Sequence, residues 1–172
     1  MLRHQTIQHL QGLEVAPELT DTTTLIPFLK RMEEKSKFKY LKIVADAGYE
    51  SEENYSFIEE NNQISFIKPS NYEISKTRKY KNDISRIENM DYDSESDLFI
   101  CQNGKKLTAN GVKIRKSKTG YESVKTIYIC EDCGNCNYKS QCIKGNNSKI
   151  PLEKRTKKFE TSKNLIVKGK NI

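Results

Sequence analysis

Residues 41–69 read LKIVADAGYESEENYSFIEENNQISFIKP, and this stretch decides the fold. Leu41 to Ala45 is a short apolar run rich in branched side chains, which predicts a buried strand ending at Asp46, with Gly48 breaking it. Ser51 followed by Glu52 and Glu53 predicts a helix start. A serine hydroxyl accepts from a free first-turn amide, and carboxylates are favoured at the positive end of the helix dipole. Tyr55 and Ile58 then share a face, and the helix should stop near Asn61 and Asn62. Gln63 to Lys68 gives a second apolar strand closed by Pro69. Strand, helix and strand within about thirty residues form a β-α-β unit, so the strands should be parallel with a right-handed crossover.

Outward from this unit the signals weaken. Upstream, Thr20 or Asp21 is the expected cap of a helix with Leu25, Phe28, Leu29 and Met32 at helical spacing, Pro27 in its first turn and an end near Lys37. Residues 1–19 read as an edge strand and loop. Downstream, residues 70–96 are polar and weakly periodic, which suggests a long loop with at most one helical piece. Asp97 to Cys101 and Lys105 to Thr108 flank Asn103-Gly104, a type I′ hairpin signal. Val112 to Arg115 and Val124 to Ile129 flank Lys118-Thr119-Gly120 and suggest a second hairpin. The chain thus divides into 1–69, a linker at 70–96, a hairpin and cysteine segment at 97–150, and a basic tail at 151–172.

Composition bounds the partners. The 172 residues carry a net charge of +7 and a pI near 9.1, so an anionic partner is expected, although an AT-rich coding bias also produces such composition. From Lys139 to Ile172 ten basic residues face only Glu153 and Glu160. Lys154, Arg155, Lys157 and Lys158 are the densest group and the expected DNA contacts, with a solvated charged surface as the plain alternative. No run approaches the roughly 18–20 apolar residues of a membrane span, and the opening residues lack a secretion signal, so a cytoplasmic location without membrane contact is expected.

Two constellations carry chemistry. Asp46, followed by Gly48, sits where a parallel strand would deliver a carboxylate into the ligand crevice of an α/β sheet, although strand-terminal aspartates also cap turns. Cys130, Cys133, Cys136 and Cys142 are spaced C-x2-C-x2-C-x5-C, which favours tetrahedral Zn²⁺ in a reducing compartment. An iron–sulfur cluster and four unmetallated thiols remain open alternatives. Cys101 stands apart in a strand and reads as a small core residue. Asp91, Asp93, Glu95 and Asp97 alternate as in a calcium loop, but Ser96 and Gln102 occupy the positions that need Gly and Glu. His4 and His9, five apart, suit no usual metal pairing.

The run DAGY, then SEEN, then a strand ending in Lys-Pro resembles the second catalytic aspartate region of DDE-type insertion-sequence transposases. The preceding TDTTTLIPFLKRMEE, the hairpin DLFICQNGKKL, the cysteine segment and LEKRTKKFE resemble the same family in the same order, covering Thr20 to Glu160. The resemblance implies an α/β chain with a partial ribonuclease H-like mixed sheet and a β-rich, Cys-containing insertion. It implies Mg²⁺-dependent DNA strand cleavage and transfer in the complete enzyme, where three carboxylates hold two ions. Asp46 matches the second carboxylate as catalytic and metal-binding residue. The first is expected upstream of Met1 and the third beyond the end of the chain; Glu14 does not stand in the family's context, and Glu153 and Glu160 lie in the stretch before the third and are not taken for it. A truncated carboxyl-terminal part, inactive alone, is therefore expected, because one carboxylate does not offset the dehydration of two divalent ions. Element-end DNA, a second copy or a full-length transposase are the implied partners. A non-enzymatic zinc-binding nucleic-acid module and an inert mobile-element remnant are the competing readings.

Overall fold

The structure, a computed structural model, describes residues 21–145 and 150–162. The reading of residues 1–19, with His4, His9 and Glu14, and the basic residues Lys149, Lys163, Lys168 and Lys170 lie outside the described residues. The chain is a mixed α/β protein with one parallel and one antiparallel sheet, in two compact units that meet in sequence at Ser70 and Asn71.

In the first unit, a 3₁₀ turn at Asp21–Thr23 precedes helix α1 (Leu25–Ser36). Thr20 lies outside the described residues, and Asp21 is not the helix cap. Thr24 takes that position, and its amide and hydroxyl both donate to the Asp21 carbonyl, at 3.1 and 2.9 Å, so the polar groups expected to cap build the extra turn instead. Lys37 ends α1 in the left-handed conformation and donates its N–H to the Glu33 carbonyl. Strand β1 (Lys42–Ala45), helix α2 (Glu52–Glu60) and strand β2 (Ile64–Ile67) follow. Ser51 Oγ accepts from Asn54 N at 3.1 Å, the expected cap bond. The two strands pair in parallel, with Ile43 opposite Ser65 and Val44 opposite Phe66.

Strand alternation splits this apolar pair into unlike faces. Ile43 and Ile67 join Leu25, Leu29 and Ile58 in the buried core beneath the helices. Val44, 79% exposed, and its partner Phe66, 51% exposed, point the other way with Ile64. A strand buried on both faces was expected from the apolar run; only one face is covered, because among the described residues both helices of this unit pack on the same side.

The second unit contains helices α3 (Tyr72–Ser75) and α4 (Arg78–Lys81), then strands β3 (Asp91–Asp93), β4 (Leu98–Ile100), β5 (Lys106–Lys116) and β6 (Glu122–Cys130). Helix α5 (Lys139–Cys142) and strand β7 (Lys158–Thr161) complete it. The sheet runs β3-β4-β5-β6-β7, with every described pair antiparallel. Residues 70–96 are not the long loop suggested by their polarity. Thr77 caps α4, and Tyr80 and Met90 bury their side chains, so sparse apolar anchors suffice to order the segment.

Both hairpins form, the first with different turn chemistry from that expected. Gly104 N–H donates to Cys101 O at 2.8 Å, Cys101 N–H donates to Lys105 O at 3.0 Å, and Gly104 has φ +71°. Asn103 is not among the described residues of positive φ, so the turn is not type I′; three residues connect the strands with Gly in the left-handed position. Gly120, φ +91°, does the same at the next turn. The two expected hairpins share one long strand, β5, which is irregular between Ala109 and Val112. The tail is not wholly a free basic extension either, since β7 pairs with β6.

The second core gathers Met90, Phe99, Leu107, Tyr128 and Cys130. Phe99 meets Tyr128 and Phe159 edge-on at 5.0 and 5.1 Å between ring centroids, a favoured aromatic arrangement.

Candidate functional site

β1 delivers Asp46 at its carboxyl end in extended backbone, and Oδ1 accepts the Gly48 N–H at 3.0 Å. The carboxylate therefore caps the single 3₁₀ turn Ala47–Tyr49, and it is also solvent-exposed at the mouth of a parallel strand pair. The two readings open from the sequence are compatible, because one amide uses one of about four lone-pair sites on a carboxylate.

Gly48 brings a second carboxylate to this place. A Cβ there would stand 2.7 Å from Asp21 Oδ2 and 3.3 Å from Asp46 Oδ1, so both side chains lean on the bare glycine. Asn54, fully buried, ties the two turns together by donating from Nδ2 to Thr22 O at 3.1 Å and Tyr49 O at 2.7 Å. Sequence reasoning missed both residues, taking Asp21 for a cap and giving Asn54 no role. The only available signal was an Asn at an inward helix position, four before the core residue Ile58 at helical spacing. Two carboxylates do not make a two-metal site. Among the described residues no group of three or more His, Cys, Asp or Glu side chains is placed to hold a metal ion, so the residues present do not fit the pair of Mg²⁺ ions implied by the resemblance.

The cysteines converge around a cavity of about 20 Å³, room for one atom-sized occupant. It is lined by Cys130, Cys133, Cys136 and Cys142, and by Cys101, which does not stand apart as its strand position suggested. Cys101 opens the β4–β5 turn, Cys130 ends β6, Cys133 and Cys136 lie in the following loop, and Cys142 ends α5. Burial pushes the Cys130 thiol up to about 12, and the neighbouring Cys133 and Cys101 thiols add to the rise. Burial also raises Cys142, against the pull of the Lys157 ammonium; Cys101, Cys133 and Cys136 are the neighbouring thiols that add to the rise.

The basic residues expected to contact DNA divide into two groups. Lys154 and Lys158 are exposed. Arg155 turns inward, donating to Ile150 O at 2.6 Å and Gly145 O at 2.9 Å. Lys157 Nζ donates to Ser85 O at 2.6 Å and Cys142 O at 3.2 Å. The pairing of β7 with β6 draws the residues just before it into the fold. A basic surface that the sequence reading did not single out lies on the β5–β6 hairpin, where Lys113, Arg115, Lys116 and Lys118 are all exposed.

No curated protein and no solved structure matches the chain. A family model described as Transposase DDE domain matches residues 100–168, from the end of β4 through the cysteine segment and β7, a span that lies wholly after Asp46. The match shows similarity to the transposase DDE-domain family over residues 100–168.

Proposed function

We propose that the chain is part of a DDE-type transposase of ribonuclease H-like architecture, whose complete form cleaves and joins DNA strands with Mg²⁺, and that the chain does not catalyse this reaction alone. The observation that carries the reading is Asp46 at the carboxyl end of a parallel strand, in a chain whose later residues match the family. The uncovered apolar face of Val44, Ile64 and Phe66 supports it, because a two-stranded parallel sheet normally continues into further strands or is covered on both sides. The Mg²⁺ ions would supply activation of the attacking hydroxyl and stabilisation of the leaving oxygen. This chain supplies Asp46, held in orientation by the Gly48 amide, with Asp21 beside it. Lys154, Lys158 and the β5–β6 hairpin supply positive charge for a phosphate backbone.

The coding DNA on either side tests this directly. An upstream frame encoding a strand-borne Asp and a downstream frame encoding a helix with Glu are expected. Flanks that encode neither would leave the second reading, a non-enzymatic zinc-binding module for nucleic acid or a remnant without activity. The zinc part of that reading rests on the spacing of Cys130, Cys133, Cys136 and Cys142, whose side chains form no metal-holding group among the described residues.

A further inference from the structure

Between Val112 and Lys125 the β5–β6 hairpin carries Lys113, Arg115, Lys116, Lys118 and Lys125 against one acidic residue, Glu122. Accepting the reading of the chain as part of a DNA transposase, we infer that the outward face of this hairpin, with β7, holds the phosphate backbone of duplex DNA without reading its sequence. Glu160 occupies the phosphate position until DNA displaces it.

The hairpin runs past its neighbours. β4 pairs with β5 only over Lys106, Leu107 and Thr108, and β7 pairs with β6 only from Thr126 to Ile129. From the pair Lys113 and Lys125 to the pair Lys116 and Glu122, no third strand flanks the ribbon among the described residues. A two-stranded ribbon is narrow enough to follow a groove of DNA. Its two faces differ. Val112, Ile114 and Val124 share one, where Ile114 stands directly opposite Val124, a branched pair that stiffens a ribbon otherwise marginal in water. Lys113, Arg115, Ser123 and Lys125 share the other.

Lys113 lies directly across from Lys125, and like charges so placed destabilise a strand pair. A merely solvated surface gains nothing from that placement, whereas an anion over the face offsets the repulsion. Glu160 is such an anion in part. Arg115 donates to its Oε2 from Nε at 3.1 Å and from Nη2 at 2.7 Å, and Lys113 Nζ stands 3.9 Å from Oε1. Lys158, two residues earlier on β7, joins the same face and is exposed. Arg115, with Lys113 and Lys158 adding to it, holds the Glu160 carboxyl below the usual carboxylate range. Four basic side chains thus share the face with one carboxylate, and the Arg115 fork is already oriented on an oxyanion, as a phosphate contact requires. None of these side chains is an Asn or Gln, the residues that read adenine, so contact is to the backbone rather than to base edges.

The test uses the full chain, a fluorescently labelled DNA duplex and the same strand unpaired, with binding followed by anisotropy from about 50 to 200 mM salt. Arg115→Gln and Lys125→Gln should each weaken duplex binding about five- to tenfold near 0.1 M salt and lower the salt slope by about 0.9, equally for unrelated sequences. Glu160→Gln should tighten binding by about the same factor, and Val112→Thr on the reverse face should leave it unchanged. Circular dichroism melts of each variant should match the parent, because exposed charge pairs contribute little to stability. Duplex binding that none of the charge substitutions alters overturns the assignment of this face but leaves the DNA reading intact. Weaker binding by Glu160→Gln overturns the displacement, and tighter binding of the unpaired strand overturns the choice of duplex. A parent chain that binds no DNA overturns both the face and the reading on which it rests.

Discussion

The hydroxyl of Tyr128 donates to Oδ1 of Asp97 at 2.6 Å across 31 residues of chain, and Tyr92 donates to the same oxygen at 2.8 Å. Asp97 sits in the turn before β4 with φ +51°, a conformation that Asp and Asn tolerate better than other side chains. One carboxylate thus closes the β3–β4 turn onto the fully buried Tyr128 at the centre of the second core. Asp97→Asn keeps the backbone preference and removes the charge, so a loss of about 1 kcal/mol is expected from a denaturant midpoint. A change within about 0.3 kcal/mol would show that the carboxylate is not part of the core's stability.

The same contact sets an alkaline limit. Burial, and then the Asp97 carboxylate, push Tyr128 well above the ordinary tyrosine value. A group raised in the folded state gives stability that is complete below its unfolded value, near pH ~10, and is lost as pH climbs toward the folded value. Unfolding free energy should therefore decline above pH ~10, and Tyr128→Phe should decline less steeply. Equal slopes for the two proteins would contradict the assignment.

In the first unit, Asn54→Ala removes the donor that holds the Thr22 and Tyr49 carbonyls. A loss of about 1–3 kcal/mol is expected in thermal or chemical unfolding, since carbonyls satisfied in the fold would lose their partner. An unchanged transition would mean that water replaces the amide without cost.

The exposed strand face makes the opposite prediction. Val44→Lys and Phe66→Lys place charge on side chains already 79% and 51% exposed, so stability should move by no more than about 0.5 kcal/mol, with less self-association. A loss above about 2 kcal/mol would show that something covers this face in solution.

The β-α-β unit was legible because every local signal agreed: branched apolar runs, a Ser51 cap with acidic successors and a Pro69 stop all pointed to one arrangement. What escaped the sequence depended on distant partners. Asp21 looked like a cap because local capping is readable, whereas its approach to Asp46 over Gly48 is tertiary. Cys101 looked solitary because about thirty residues of hairpin separate it from the cysteine run, yet β5 and β6 pair along that hairpin and return the chain to it. The inward turn of Arg155 and Lys157 was hidden for a related reason, since a basic run reads as surface until a strand pairing engages it. The Asn103-Gly104 pair located its hairpin correctly but not its turn type, which depends on how many residues the flanking strands leave unpaired.

Incubation of the purified chain with Mg²⁺ and supercoiled or element-end DNA, scored for nicking and strand transfer, bears most directly on Asp46 as a family carboxylate without a complete set of companions. No cleavage above background is expected, from the parent chain or from Asp46→Ala. Robust Mg²⁺-dependent cleavage by the parent that Asp46→Ala abolishes would show that this chain assembles a working metal centre by itself.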